Sequence, residues 1–88
     1  MSEIEKKIEE LREQVDEIDE KMVGLLNERA QIALAIRKFK EEKGIPIYDP
    51  EREKEIYRKL LANNSGPLSN EAIREIYKKI LHYMKDME

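Results

Sequence analysis

IEKKIEELREQVDEIDEKMVGLLNERAQIALAIRKF, residues 4–39, decides the fold. Its apolar positions run Ile4, Ile8, Leu11, Val15, Ile18, Met22, Leu25, then Ile32, Ile36 and Phe39. The steps between them alternate four and three, the heptad spacing that draws an apolar seam along one side of an α-helix. The spacing predicts one helix from about residue 3 to 43, closed by Gly44 in a left-handed cap. At roughly 1.5 Å per residue that helix is about 60 Å long. A compact chain of this size is only about 30 Å across. The rest of the chain cannot cover such a seam, so the expectation is a homodimer.

Outward from the seam comes GIPIYDPERE, residues 44–53, which crowds Gly44, Pro46 and Pro50 together. The prolines force an extended linker. Asp49 is a good N-cap and Pro50 a good first helical residue, with Glu51 near the positive end. A second helix is expected from about 50 to 63, with Ile56, Tyr57 and Leu60 inward. NNSGP, residues 63–67, ends it. A third helix starts at a Ser69 or Asn70 cap and runs from about 69 to 87. Its apolar stripe is Ile73, Ile76, Tyr77, Ile80, Leu81 and Met84. The reading is all-α: three helices, one long and two shorter, in a single domain spanning 1–88.

Composition narrows the function. Of 88 residues, 40% are hydrophobic and 42% charged, which suits amphipathic helices and leaves little for a β-sandwich core. A net charge of -3 argues against a nucleic-acid footprint. No apolar run reaches the length of about 18 residues that a membrane span needs. The leading MSEIEKKIEE is acidic and polar with no secretory pattern, so the expected location is cytoplasmic. There are no cysteines and a single His82, which leaves neither thiol chemistry nor a histidine metal site. No cofactor motif is present, and none is expected.

One residue breaks the seam. Between Leu25 and Ile32 the heptad calls for an apolar side chain, and the sequence supplies Arg29. An arginine buried there costs several kcal/mol unless an anion meets it. It reads either as a register device paired with a buried acid or as half of an anion site. Lys40 lies three turns later near the same face, and Arg12 flanks the seam at Leu11. Glu53 falls one turn before the inward face of the second helix, and Glu88 extends the stripe of Tyr77, Leu81 and Met84. Asp49 is also explained as a cap, Arg12 and Lys40 as solvated charges, and Arg52 and Glu53 as first-turn surface charges. Glu88 is the last residue. Taken jointly, three cations at 12, 29 and 40 with an acid–base cluster at 49–53 suit a small dianion bearing a hydroxyl. No nucleophile–base pair and no glycine-rich phosphate loop is present, so any chemistry works by positioning and electrostatics.

LREQVDEIDEKMVGLLNERAQIALAIRKFKEEKGIPIYDPERE (11–53) resembles the all-helical chorismate mutases. NNSGPLSNEAIREIYKKIL (63–81) looks most like the mutase domain fused to prephenate dehydratase or to a DAHP synthase. The resemblance implies an intertwined dimer with two sites and chorismate as the substrate. It implies that Arg12 reaches across from the partner subunit, while Arg29 and Lys40 belong to the same chain as the rest of the site. Asp49 and Glu53 match the positions that hold the ring hydroxyl, and Arg52 matches a supporting arginine. Met84 stands where many members have a serine, on the substrate carboxylate. Glu88 stands where the best-known bacterial form has a glutamine facing the ether oxygen. There it would help only as a neutral acid, so the rate is expected to fall with rising pH. Two rivals remain: an isochorismate pyruvate lyase on the same fold, and a non-catalytic helical dimerisation or regulatory domain.

Overall fold

The computed structural model describes residues 2–85. It contains α1 (Glu3–Lys43), α2 (Pro50–Ala62) and α3 (Asn70–Met84), and no strand among the described residues. The sequence reading carries α3 to about residue 87; the described helix ends at Met84 with Lys85 as its C-cap, and residues 86–88, Glu88 among them, lie outside the described residues.

Each end of these helices has a local cause. The Ser2 hydroxyl accepts the Glu5 N–H at 3.1 Å, and acidic Glu3 and Glu5 occupy the first turn of α1. At the other end Gly44 adopts φ +69°. Ile45 N–H reaches back to the Lys40 carbonyl at 2.8 Å and Gly44 N–H to the Glu41 carbonyl at 3.3 Å, the bond pair of a left-handed C-terminal cap. A residue with a Cβ at position 44 would carry the steric cost of that φ.

The chain divides into two compact units, residues 1–32 and 33–88. In the first, every described residue from Glu3 onward is helical, and none is buried. Its apolar seam residues from Ile4 to Ile32 are between 43% and 71% exposed. This stretch is held by its backbone ladder, with an ion pair between Arg12 and Glu9 on its surface.

The second unit has a core. Ala33, Ile56, Leu81 and Met84 are buried, and α2 packs on α3. Tyr57, Leu60, Ile73, Tyr77 and Ile80 are half-buried around them. Ile76 departs from the expected stripe and is 45% exposed. It sits about 140° round the helix from buried Leu81, beyond the width that one packed neighbour covers.

The turn between α2 and α3 is tied by one side chain. Asn64 Nδ2 donates to the Leu68 carbonyl (2.9 Å) and to Asn70 Oδ1 (2.8 Å), while its Oδ1 accepts the Gly66 N–H (3.2 Å). Asn63 caps the end of α2, so that helix stops one residue before the position read from sequence. Of the two candidate caps for α3 it is Ser69 that acts, its hydroxyl accepting the Ala72 N–H at 3.1 Å.

Candidate active site

The start of α2 is built by its sequence. Asp49 Oδ1 accepts the Arg52 N–H at 3.1 Å and its carbonyl accepts the Glu53 N–H at 3.2 Å, while Pro50 occupies the first turn. Asp49 therefore caps the helix, and its carboxylate retains further acceptor capacity. The turn at Gly44 sends the linker back along the end of α1. There the Lys40 ammonium donates to the Ile47 carbonyl at 3.1 Å, a bond spanning seven residues. Half-buried, Lys40 is thereby fixed beside the linker rather than swinging in solvent.

These elements enclose a cleft of about 220 Å³. Its charged lining is Lys40, Asp49, Arg52, Glu53 and Lys85, and Ile36, Ile47 and Tyr48 complete the wall. Glu53 is half-buried; Asp49 and Arg52 are exposed. The Arg52 guanidinium is steadied by Glu55, Nη1 to Oε1 at 3.1 Å. Glu55 also takes the Lys59 ammonium at 2.8 Å. That hydrogen bond, with the charge of Lys59, holds the Glu55 carboxyl below its ordinary range, so Arg52 keeps an ionised partner. On the far side of Glu53, burial pushes the Tyr57 phenol up, and the negative charge of Glu53 adds to the effect. The guanidinium of Arg74 lies 5.8 Å from the Tyr57 ring centre.

Of the residues singled out from sequence, four converge on this cleft: Lys40, Asp49, Arg52 and Glu53. Arg12 and Arg29 belong to the 1–32 unit. Arg12 is exposed and pairs with Glu9, Nη1 to Oε1 at 2.6 Å, while Arg29 is half-buried. Met84 is buried at the end of α3 and is not among the residues lining the cleft. Glu88 lies outside the described residues. Lys85 and Tyr48 have no role in the sequence reading, yet both line the cleft. The available signal for Lys85 is its position directly after the apolar stripe, four residues beyond Leu81.

Chemically, the cleft offers cations for carboxylates, a pair of carboxylates for a hydroxyl, and an apolar wall for a ring. Among the described residues no group of three or more His, Cys, Asp or Glu side chains could hold a metal ion. No helix among them is long and apolar enough to cross a membrane.

Comparison with known proteins adds a family. The family model described as chorismate mutase type II matches residues 11–88. A chorismate mutase structure (form II) from Thermus thermophilus superposes with a TM-score of 0.88 at 38% identity, covering 91% of each chain. A chorismate mutase from Helicobacter pylori, solved in complex with prephenate, gives a TM-score of 0.83 at 32% identity, covering 93% of this chain and 89% of that one. The bifunctional chorismate mutase/prephenate dehydratase of Aquifex aeolicus is 40% identical over 85 residues, 92% of this chain. This chain spans only 24% of the length of that relative.

Proposed function

This chain belongs to the chorismate mutase type II family, and on that premise we propose that it rearranges chorismate to prephenate as one mutase domain, residues 1–88. The observation that carries the reading is the gathering of Lys40, Asp49, Arg52 and Glu53 around one cleft. The reaction is intramolecular: an ether C–O bond breaks, a C–C bond forms, and no proton transfer or covalent intermediate is required. A site needs to hold the substrate in its reactive conformer and stabilise negative charge growing on the ether oxygen. An acceleration of about a million-fold corresponds to roughly 8 kcal/mol, within reach of a few desolvated ionic hydrogen bonds.

The roles proposed are those the resemblance implies, and the chemistry of the side chains suits them. Lys40, steadied by the Ile47 carbonyl, donates to the ether oxygen. Asp49 and Glu53 accept the ring hydroxyl, and Arg52, steadied by Glu55, supports them. Arg29 binds a substrate carboxylate through its two-pronged guanidinium. Arg12 of a second copy takes part in the same site, so the working unit is a homodimer. The exposed seam of residues 4–32 supports that assembly, since a row of half-exposed Ile, Leu and Val side chains stabilises nothing until it is covered. Met84, standing where the resemblance places a serine, brings no hydroxyl for a substrate carboxylate, and it is buried outside the cleft lining. Glu88, which the resemblance assigns to the ether oxygen, lies outside the described residues.

Loss of chorismate ultraviolet absorbance on adding the purified chain tests the reading. Disappearance with saturation kinetics is expected; an unchanged spectrum at micromolar chain overturns it. Neither the lyase nor the purely structural alternative has an observation of its own in its favour.

A further inference from the structure

Lys85 sits at the C-terminal cap of α3 and lines the same cleft as Lys40, Asp49, Arg52 and Glu53. Count the charges on that lining. Lys40 and Arg52 give two positive, Asp49 and Glu53 two negative, so without Lys85 the cleft is neutral; with it the cleft carries one net positive charge. The balance matters because the proposed substrate is a dianion, and on this lining Asp49 and Glu53 cancel Lys40 and Arg52, so that Lys85 supplies the local positive excess beside what Arg29 and Arg12 bring. The other cations are also partly engaged: Lys40 with the Ile47 carbonyl and Arg52 with Glu55. Lys85 has no ion-pair partner among the described residues. Its neighbour Met84 is buried and thioether-bearing, so it brings no charge to this end of α3.

We propose that Lys85 is a substrate-binding residue whose ammonium takes a carboxylate of the dianion at the rim of this cleft. The inference rests on the mutase reading above. The bland explanation for a lysine here is a cation at the negative end of a helix. The two separate cleanly: a helix-end cation changes stability alone, whereas a substrate contact changes KM.

The test compares wild type with Lys85→Gln, Lys85→Glu and Lys85→Arg under steady-state kinetics with chorismate, alongside melting curves. Lys85→Gln is expected to raise KM roughly three- to fivefold, the upper size of an exposed charge contact, with kcat within about twofold. Lys85→Glu should raise KM further, and Lys85→Arg should restore it. The salt dependence of kcat/KM should weaken in Lys85→Gln, because one attractive charge has gone. KM values for Lys85→Gln and Lys85→Glu within about twofold of an active wild type, at whatever melting temperature, overturn the proposal. A wild type that leaves chorismate untouched overturns the mutase reading itself and this inference with it, and that control is read before any variant.

Discussion

Residues 2–32 and residues 33–85 both carry apolar side chains at helical spacing, yet they treat them differently. The later unit buries Ala33, Ile56, Leu81 and Met84 against its own helices. None of the described residues of the earlier one is buried, and Leu25 is 61% and Ile32 63% exposed. The difference teaches that one pattern can encode two kinds of core. The second unit closes on itself because a linker and a turn bring α2 onto α3. The first is a single helix, which cannot fold back over its own stripe. Its seam therefore points to stabilisation from outside the chain, by a second copy in the reading advanced above. Catalytic residues would divide the same way, with Lys40, Asp49, Arg52 and Glu53 preassembled and Arg12 completed by assembly.

The largest effect expected on that comparison comes from charging the seam. Ile18→Asp places an unpaired carboxylate where the dimer reading buries a branched aliphatic, a cost of several kcal/mol. Light scattering should then show a loss of dimer, from about twice 10.5 kDa to the monomer mass or to an unfolded chain. Ile76→Asp, on the exposed edge of α3, should leave mass and melting nearly unchanged. Equal behaviour of the two variants would erase the distinction between the regions.

Next comes Arg29→Ala. As a charge serving the substrate, it should cost roughly a hundred- to a thousand-fold in kcat/KM while stability holds or rises. Unfolding with unchanged activity per folded molecule would make Arg29 a register device. A mixing experiment sharpens this. Arg12→Ala and Arg29→Ala chains, each inactive alone, should recover activity after subunit exchange, because one site of the heterodimer keeps both arginines. No recovery after confirmed exchange counts against a cross-subunit Arg12.

Asp49 separates two functions within the self-contained unit. Asp49→Ser keeps a capping oxygen, so stability should hold while kcat/KM falls about tenfold; Asp49→Ala should lose about 1 kcal/mol of stability as well. Denaturant midpoints measured beside kinetics distinguish them.

The smallest effect is electrostatic. The Tyr57 phenol is pushed up from its ordinary value of 10.0 by burial and by Glu53. Its contribution to stability is complete below that value and is lost as pH rises through the folded-state value, where the unfolded chain ionises first. Tyr57→Phe should flatten the alkaline decline in the denaturation midpoint. An identical decline in both would place its cause elsewhere.

Much of this is legible in the sequence, for reasons tied to particular residues. The heptad from Ile4 to Phe39 specifies α1, because spacing alone marks a helix face, and Gly44, Asp49 and Ser69 mark ends through local chemistry. Lys40, Asp49, Arg52 and Glu53 can be grouped because three of them share one helix start and the fourth lies a short linker away. Lys85 is legible only as a position just past the apolar stripe; its place in the cleft depends on how α3 packs, which no spacing rule encodes. Ile76 departs from expectation for the same reason, since a stripe shows which residues can face inward and not how wide a neighbour covers.

The most direct test of the central claim is product identification. Purified chain and chorismate should be followed by proton NMR, with Lys40→Gln as the comparison. The result expected is conversion of chorismate to prephenate in equal molar amount, slowed roughly a hundredfold or more by loss of Lys40. Chorismate persisting unchanged beside folded wild-type chain, or conversion equally fast without Lys40, would contradict it.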